Sequence, residues 1–244
     1  MTANSAVATT EGRALAHCSL VSEGTGMDRP FLDRLAPAAR SRLLGAGRAR
    51  HYRRGEVVFH AGDPATFVVV IVHGRAKVTA AGPDGAEVVL SLRGPGDLVG
   101  ELAAIDEGAL PRSARVSALD PVTCRVVRSA EFRTVLGEHP DVGLELLRML
   151  SARLRSADRR IVEFGVYDTT RRVARLLADL AARPGPTRRP GTVDLTQDDL
   201  AGLVGASRES VVRALATLRS LGLVTTARRR VEVVDMAALR GFGG

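Results

Sequence analysis

Between Ala49 and Val127 the chain breaks into short runs rich in valine: Val57–Phe59, Phe67–Val72, Ala76–Ala80, Glu87–Leu92, Arg115–Ala118 and Thr123–Val127. Each is too short for an ordinary helix. Turn residues punctuate them at Arg54-Gly55, Gly62-Asp63-Pro64, His73-Gly74, Pro83-Asp84-Gly85 and Gly94-Pro95-Gly96. Short strands at intervals of roughly ten residues predict a sandwich or barrel of the jelly-roll kind. Pro83-Asp84-Gly85 between two alternating runs is a hairpin signal.

From Ser129 the pattern becomes helical. Asp141 to Val166 reads as one long helix, with Leu147, Leu150, Leu154, Ala157, Ile161 and Phe164 spaced alternately three and four apart. That spacing is an a/d seam, and it predicts a two-stranded homodimer coil. The same spacing would serve a helix packed on its own domain, but Arg153, Arg155, Arg159 and Arg160 make the opposite face too charged to bury as well. A further helix spans Thr169–Ala182 and ends at Arg183-Pro184-Gly185-Pro186, in a loop running to Gly191. Upstream, residues 30–47 suggest one or two short helices. Residues 1–26 are small and polar without periodicity and read as a disordered arm, so Met27 is a candidate translation start.

Thr196 to Leu218, TQDDLAGLVGASRESVVRALATL, reads as two short helices around a tight turn. Thr196 and Asp199 form a capping-box pattern, Gly205 suits a turn that favours positive φ, and Ser207 is an N-cap. Leu200, Leu203 and Val204 would be buried on the first helix, and Val211, Leu215 and Leu218 on the second. Glu209, Arg213 and Ala216 share the opposite face, with Arg208 leaving the first turn. This is the build of a helix-turn-helix reader of the DNA major groove. Arginine pairs bidentately with guanine, and a carboxylate accepts from cytosine N4. Arg208, Glu209 and Arg213 can therefore read a G·C-containing step. Thr196 and Gln197 open the first helix beside them. Leu223–Thr226 and Val231–Val234 predict a hairpin wing with Ala227–Arg230 at its tip. Ser207, Arg228, Arg229 and Arg230 are suited to phosphate, which positions without specifying.

Composition agrees with a nucleic-acid partner. The formal net charge is +8, and Lys77 is the only lysine among the 35 basic residues. Cys18 and Cys124 cannot supply the four ligands of a structural zinc site or an iron–sulfur cluster. His51, His60 and His73 show no H-x-H spacing, which speaks against a cupin enzyme, and a lone His73 in a turn is not a haem signal. A redox pair between Cys18 and Cys124 is equally unsupported. No metal, haem or cluster is expected. The longest apolar run is too short to span a bilayer, and no signal-peptide h-region is present. A reduced, cytoplasmic setting is expected.

Gly205 to Arg213, GASRESVVR, resembles the recognition helix of the cyclic-AMP receptor protein and fumarate–nitrate regulator (CRP/FNR) family of bacterial transcription regulators. The resemblance runs from about residue 30 to 240 and includes the order of sandwich, long helix and winged helix-turn-helix. A second motif agrees with it. Gly100 to Ala114, GELAAIDEGALPRSA, resembles the phosphate-binding cassette of cyclic-nucleotide-binding domains. A glycine turn leads there into a short helix whose N–H groups can face an anion. Gly100, Glu101 and Leu102 open it. Glu101 can accept from a ribose hydroxyl, Arg112 can clamp a phosphate, and Ser113 can donate to phosphate or base.

The resemblance implies an α+β chain with a jelly-roll domain over 27–140, a dimerisation helix over 141–167 and a winged helix-turn-helix domain over 168–244. It implies base contacts by Arg208, Glu209 and Arg213, a homodimer on a near-palindromic double-stranded operator, contact with RNA polymerase, no membrane, and cyclic AMP or cyclic GMP as effector. Two positions depart from the pattern. The interval from Glu101 to Arg112 is a residue or so longer than in the family, with an irregular excursion at Glu107–Leu110. Ala157 and Asp158 stand where a Thr-Ser pair of the cyclic-AMP receptor meets adenine. Ionised Asp158 only accepts: adenine's N6 amino group can donate to it, the N1–H and N2–H₂ of guanine suit it better, and pairing with a local arginine such as Arg155 is the equal alternative. The alternative is the same fold with a vestigial pocket and constitutive DNA binding.

Overall fold

The computed structural model describes residues 29–82, 87–106, 110–182 and 190–243. The chain begins with α1 (Phe31–Arg34) and α2 (Pro37–Ala46). The strands β1 (Arg48–Tyr52), β2 (Val57–Phe59), β3 (Phe67–His73), β4 (Ala76–Ala81), β5 (Glu87–Arg93) and β6 (Leu98–Val99) follow. The short α3 (Glu101–Ile105) precedes β7 (Arg115–Ala118) and β8 (Val122–Arg128). Two four-stranded sheets result, ordered β1-β8-β3-β6 and β2-β7-β4-β5, and they form a sandwich, one of the two forms that the valine-rich runs predict. β3 reads FVVVIVH because both of its faces are covered. Val69 and Ile71 point between the sheets with Phe59, Val116 and Cys124. Val68 and Val70 point to the helices, against Phe31, Leu43, Phe132 and Val142.

Next come α4 (Ser129–Glu138) and the long α5 (Pro140–Val166). Val142, Leu146 and Met149 bury one side of α5 in its own domain. Leu147, Leu154 and Ile161 face outward at 64–68% exposure, far above what leucine and isoleucine show inside a finished fold. The seam is thus left open along most of its length. Its ends differ: Leu150 packs partly on the domain core, and the ring of Phe164 lies against the turn at Gly205. The arginine face departs from expectation. Arg153 and Arg160 are drawn down onto their own chain, because backbone carbonyls and Glu101 satisfy their donors there.

The C-terminal part comprises α6 (Thr169–Ala182), β9 (Thr192–Val193), α7 (Gln197–Val204), α8 (Arg208–Ser220), β10 (Val224–Ala227), β11 (Arg230–Val233) and α9 (Met236–Gly243). β10, β11 and β9 form a small sheet behind the two central helices. The hairpin sits one residue off the predicted bounds, with Arg228 and Arg229 alone at its tip. β1, β6, β9 and α9 were not anticipated. β1 is an exposed edge strand reading RARHY, and β6 and β9 have two residues each, so none carries an apolar pattern. Val89 of β5 and Leu119 pack into the C-terminal core, which joins the two domains. The predicted N-terminal arm, the Pro83-Asp84-Gly85 turn, Glu107 to Ala109 and residues 183–189 lie outside the described residues. Among those described, no helix is long and apolar enough to cross a membrane.

Candidate functional site

Gly100 caps α3 with φ +81°, a conformation only glycine adopts freely, and a Cβ there would strike the Arg112 guanidinium. Arg112 is 3% exposed. Its guanidinium lies 4.3 Å from the ring centre of Phe59 and 4.8 Å from that of Phe67. It donates to Gly100 O at 2.7 Å and to Phe67 O. Burial pushes its pKa down from the ordinary guanidinium value, against the pull of Glu101 and Asp63. Glu101 is also 3% exposed, and its Oε1 accepts from Arg153 of α5. Arg153 also donates to Leu98 O at 2.7 Å. Glu101 Oε2 and Arg112 Nε are buried with no hydrogen-bond partner. Such orphans are costly unless a further group completes them. Leu102 and Ser113 are exposed at the rim.

At the other end of the molecule the predicted helix-turn-helix is present. Thr196 Oγ1 accepts from Asp199 N at 3.0 Å, and Asp199 Oδ2 accepts from Thr196 N at 3.2 Å, closing the capping box. Gly205 ends α7 at φ +58°. Ser207 Oγ caps α8 by accepting from Ser210 N at 3.2 Å. Val211, Leu215 and Leu218 are buried, which turns Arg208, Glu209, Arg213 and Ala216 to solvent. Glu209 is held below the usual carboxylate range, first by its own backbone N–H, then by Ser207, with Arg208 and Arg213 adding to it. It is therefore an acceptor at neutral pH. A groove of about 310 Å³ lies between the start of α7, Arg208 and the wing, and Thr196, Gln197 and Arg228–Arg230 line it.

Two family models match the chain: "Cyclic nucleotide-binding domain" over residues 49–139 and "Crp-like helix-turn-helix domain" over residues 171–242. A CRP-like cAMP-activated global transcriptional regulator of Mycobacterium tuberculosis is 34% identical over 192 residues, spanning 77% of this chain and 84% of that protein. The chain belongs to the CRP/FNR family. It is a CRP-like transcription regulator with both domains of that family. The cAMP-activated global transcriptional regulator CRP of Pasteurella multocida is 29% identical over 184 residues, 75% of this chain and 88% of its own. Among solved structures, the c-di-GMP responsive global regulator CLP of Xanthomonas campestris aligns with a TM-score of 0.71 at 26% identity. That alignment covers 82% of this chain and all of the other.

Within this CRP/FNR chain, Gly100, Glu101 and Arg112 come together, with Ser113 and Leu102 at their edge. Ala157 and Asp158 do not join them within one chain; both are exposed on α5. Arg155 donates to Ser151 Oγ at 2.6 Å. Arg208 faces Asp198 across 3.7 Å, and Arg230 donates to Asp194 Oδ1 at 2.9 Å, so two cations expected at DNA already have carboxylate neighbours. Sequence reasoning missed Phe59, Phe67, Arg153, Asp194 and Asp198. Arg153 had a signal, one turn before Ala157 on the same helix. The two rings had none, because their strands are separated from Arg112 in sequence. Cys124 is fully buried, and burial pushes its thiol up to about 11, so it is an unreactive thiol at neutral pH.

Proposed function

We propose that this regulator is a homodimer whose operator affinity is set by a cyclic nucleotide held at Gly100, Glu101, Leu102, Arg112 and Ser113. The carrying observation is the pair of buried, unpartnered atoms, Glu101 Oε2 and Arg112 Nε, on side chains whose charges interact. A ribose hydroxyl donating to Glu101 and an exocyclic phosphate oxygen accepting from Arg112 answer both. The cAMP-activated relatives support the same ligand class. Pairing of α5 through Leu147, Leu150, Leu154, Ala157, Ile161 and Phe164 brings the partner's helix over the pocket. Asp158 then meets the base, and as an acceptor it favours guanine over adenine.

The output is the outward face of α8. Arg208, Glu209 and Arg213 read bases, each good contact discriminating by about 1–3 kcal/mol. Thr196, Gln197, Ser207, Arg228 and Arg229 hold phosphates, with Arg230 steering the wing through Asp194. RNA polymerase is the downstream partner of the operator-bound dimer, and catalysis has no part in this reading.

Calorimetric titration with cyclic AMP, cyclic GMP and cyclic di-GMP tests the effector. The expected result is binding of a cyclic mononucleotide, lost in Arg112→Ala, with the guanine preference lost in Asp158→Ala. Clearly tightest binding of cyclic AMP removes the guanine assignment and leaves the pocket. One observation favours the vestigial-pocket alternative: Arg112 and Glu101 already have protein partners in Gly100 O, Phe67 O and Arg153. Operator binding that ignores every nucleotide would establish that alternative.

A further inference from the structure

Arg160 lies two helical turns beyond Arg153, on the same face of α5. Its guanidinium donates to Leu90 O and to Val89 O at 3.2 Å, both in β5, and to Leu203 O at 2.5 Å in α7. One side chain therefore ties the long helix, the edge of the jelly roll and the DNA-reading domain. Burial pushes this guanidinium down from its ordinary value, against the pull of the nearby Glu163. The surrounding contact is tightly fitted. Lys77 Nζ of β4 lies 3.3 Å from Asp199 Oδ1 of α7 and 3.3 Å from Glu87 Oε1. Arg75 donates to Asp194 O at 3.1 Å. Gly202 of α7 faces Val89 so closely that a Cβ would lie 2.6 Å from Val89 Cγ2 and 3.2 Å from its backbone N.

Building on the reading that a nucleotide controls operator binding, we propose that Arg160 is a positioning residue that holds the DNA-reading domain docked on β5, as a brake on operator binding. The docked geometry coexists with the Glu101–Arg153 bond. A ribose hydroxyl donating to Glu101 Oε2 shares the carboxylate that holds Arg153, weakens the Glu101–Arg153 bond and lets α5 move. Arg160, on the same rigid helix, then loses its alignment with carbonyls on two other elements. Hydrogen bonds weaken steeply with misalignment, so a small displacement of α5 suffices. Ligand energy is thus spent on undocking, as differential affinity requires.

Two substitutions undo the brake by separate routes. Arg160→Ala removes the tie. Gly202→Ala wedges α7 from Val89 while making α7 a better helix. Operator binding is read by fluorescence anisotropy, without nucleotide and with saturating cyclic AMP or cyclic GMP; nucleotide affinity is read by calorimetry. In both variants the nucleotide-free operator Kd should tighten about tenfold, inside the usual range of allosteric coupling. Nucleotide stimulation should shrink by the same factor, and nucleotide affinity without DNA should rise correspondingly. Unchanged or weaker nucleotide-free operator binding in Gly202→Ala, with α7 still folded, overturns the brake. If the parent protein binds no nucleotide, the control reading fails, and the nucleotide-free tightening still decides whether the docking restrains DNA binding.

Discussion

Arg229, at the tip of the wing, has φ +61°, the only positive φ outside glycine among the described residues. A left-handed conformation costs a residue with a Cβ roughly 1–2 kcal/mol, and such turns ordinarily recruit glycine or asparagine. An arginine there is better explained by what its guanidinium does than by the turn. Arg229→Gly should therefore raise Tm by about 2 °C, half or more of the relief being offset by unfolded-chain entropy. It should also weaken operator binding and reduce the slope of log K against log salt by about 1.8, the signature of two lost phosphate contacts, one from the wing of each protomer. Thermal melts and salt-titrated anisotropy separate the two effects. A lower Tm or an unchanged slope would speak against a phosphate role.

Local chemistry was the most legible layer. Thr196, Asp199, Gly205 and Ser207 each act within three or four residues of themselves, so sequence alone predicts their bonds. Arg112 was legible as a charge but not as a buried one. Its stacking on Phe59 and Phe67 depends on strands of two different sheets, brought together only by the packing of the sandwich.

The long helix α5 shows the same division at the scale of an element. Periodicity alone marks two stripes without saying which is covered. Val142, Leu146 and Met149 are buried, whereas Leu147, Leu154 and Ile161 are open. The charged stripe was misjudged because arginine can bury its stem while its head finds carbonyls. Leu154→Glu, Ile161→Glu and their combination should leave the monomer fold intact, since both side chains are exposed within the chain. They should shift the protein to monomer at micromolar concentration in sedimentation equilibrium. Each seam leucine or isoleucine is worth about 1.5–3 kcal/mol when buried, and each occurs twice in a dimer. Operator affinity should fall at least a hundredfold with the loss of the second half-site. A variant that stays dimeric places the dimer contact elsewhere.

At the scale of the whole molecule, a dimer through α5 presents two α8 helices to one side of a duplex. Half-sites about 34 Å apart follow, one turn of B-DNA. Inserting five base pairs between half-sites turns the second one to the far face, so dimer binding should collapse to that of a single half-site. Ten inserted base pairs should restore the facing but not the spacing. A mobility-shift series over the insertions checks this, and binding indifferent to the insertion would exclude a rigid dimer. The order of domains was readable from texture alone, because strands, seam and helix-turn-helix each carry their own period. The docking of β5 on α7 was not readable. It rests on Val89, Gly202 and Lys77, residues with no local reason to meet.

Lys77 has a meaning that reaches past docking. It is the sole lysine in the sequence, and its amine sits between Glu87 and Asp199, where the two domains meet. Acylation of a lysine side chain, whether by an enzyme or by a reactive metabolite, has no other address on this chain. Such a modification would remove the cation that Glu87 and Asp199 share, leaving Arg115 beside Glu87 and no lysine charge between the domains. With arginine at every other Lys/Arg position, this protein carries a single lysine amine, placed where one lost charge alters the balance between its halves.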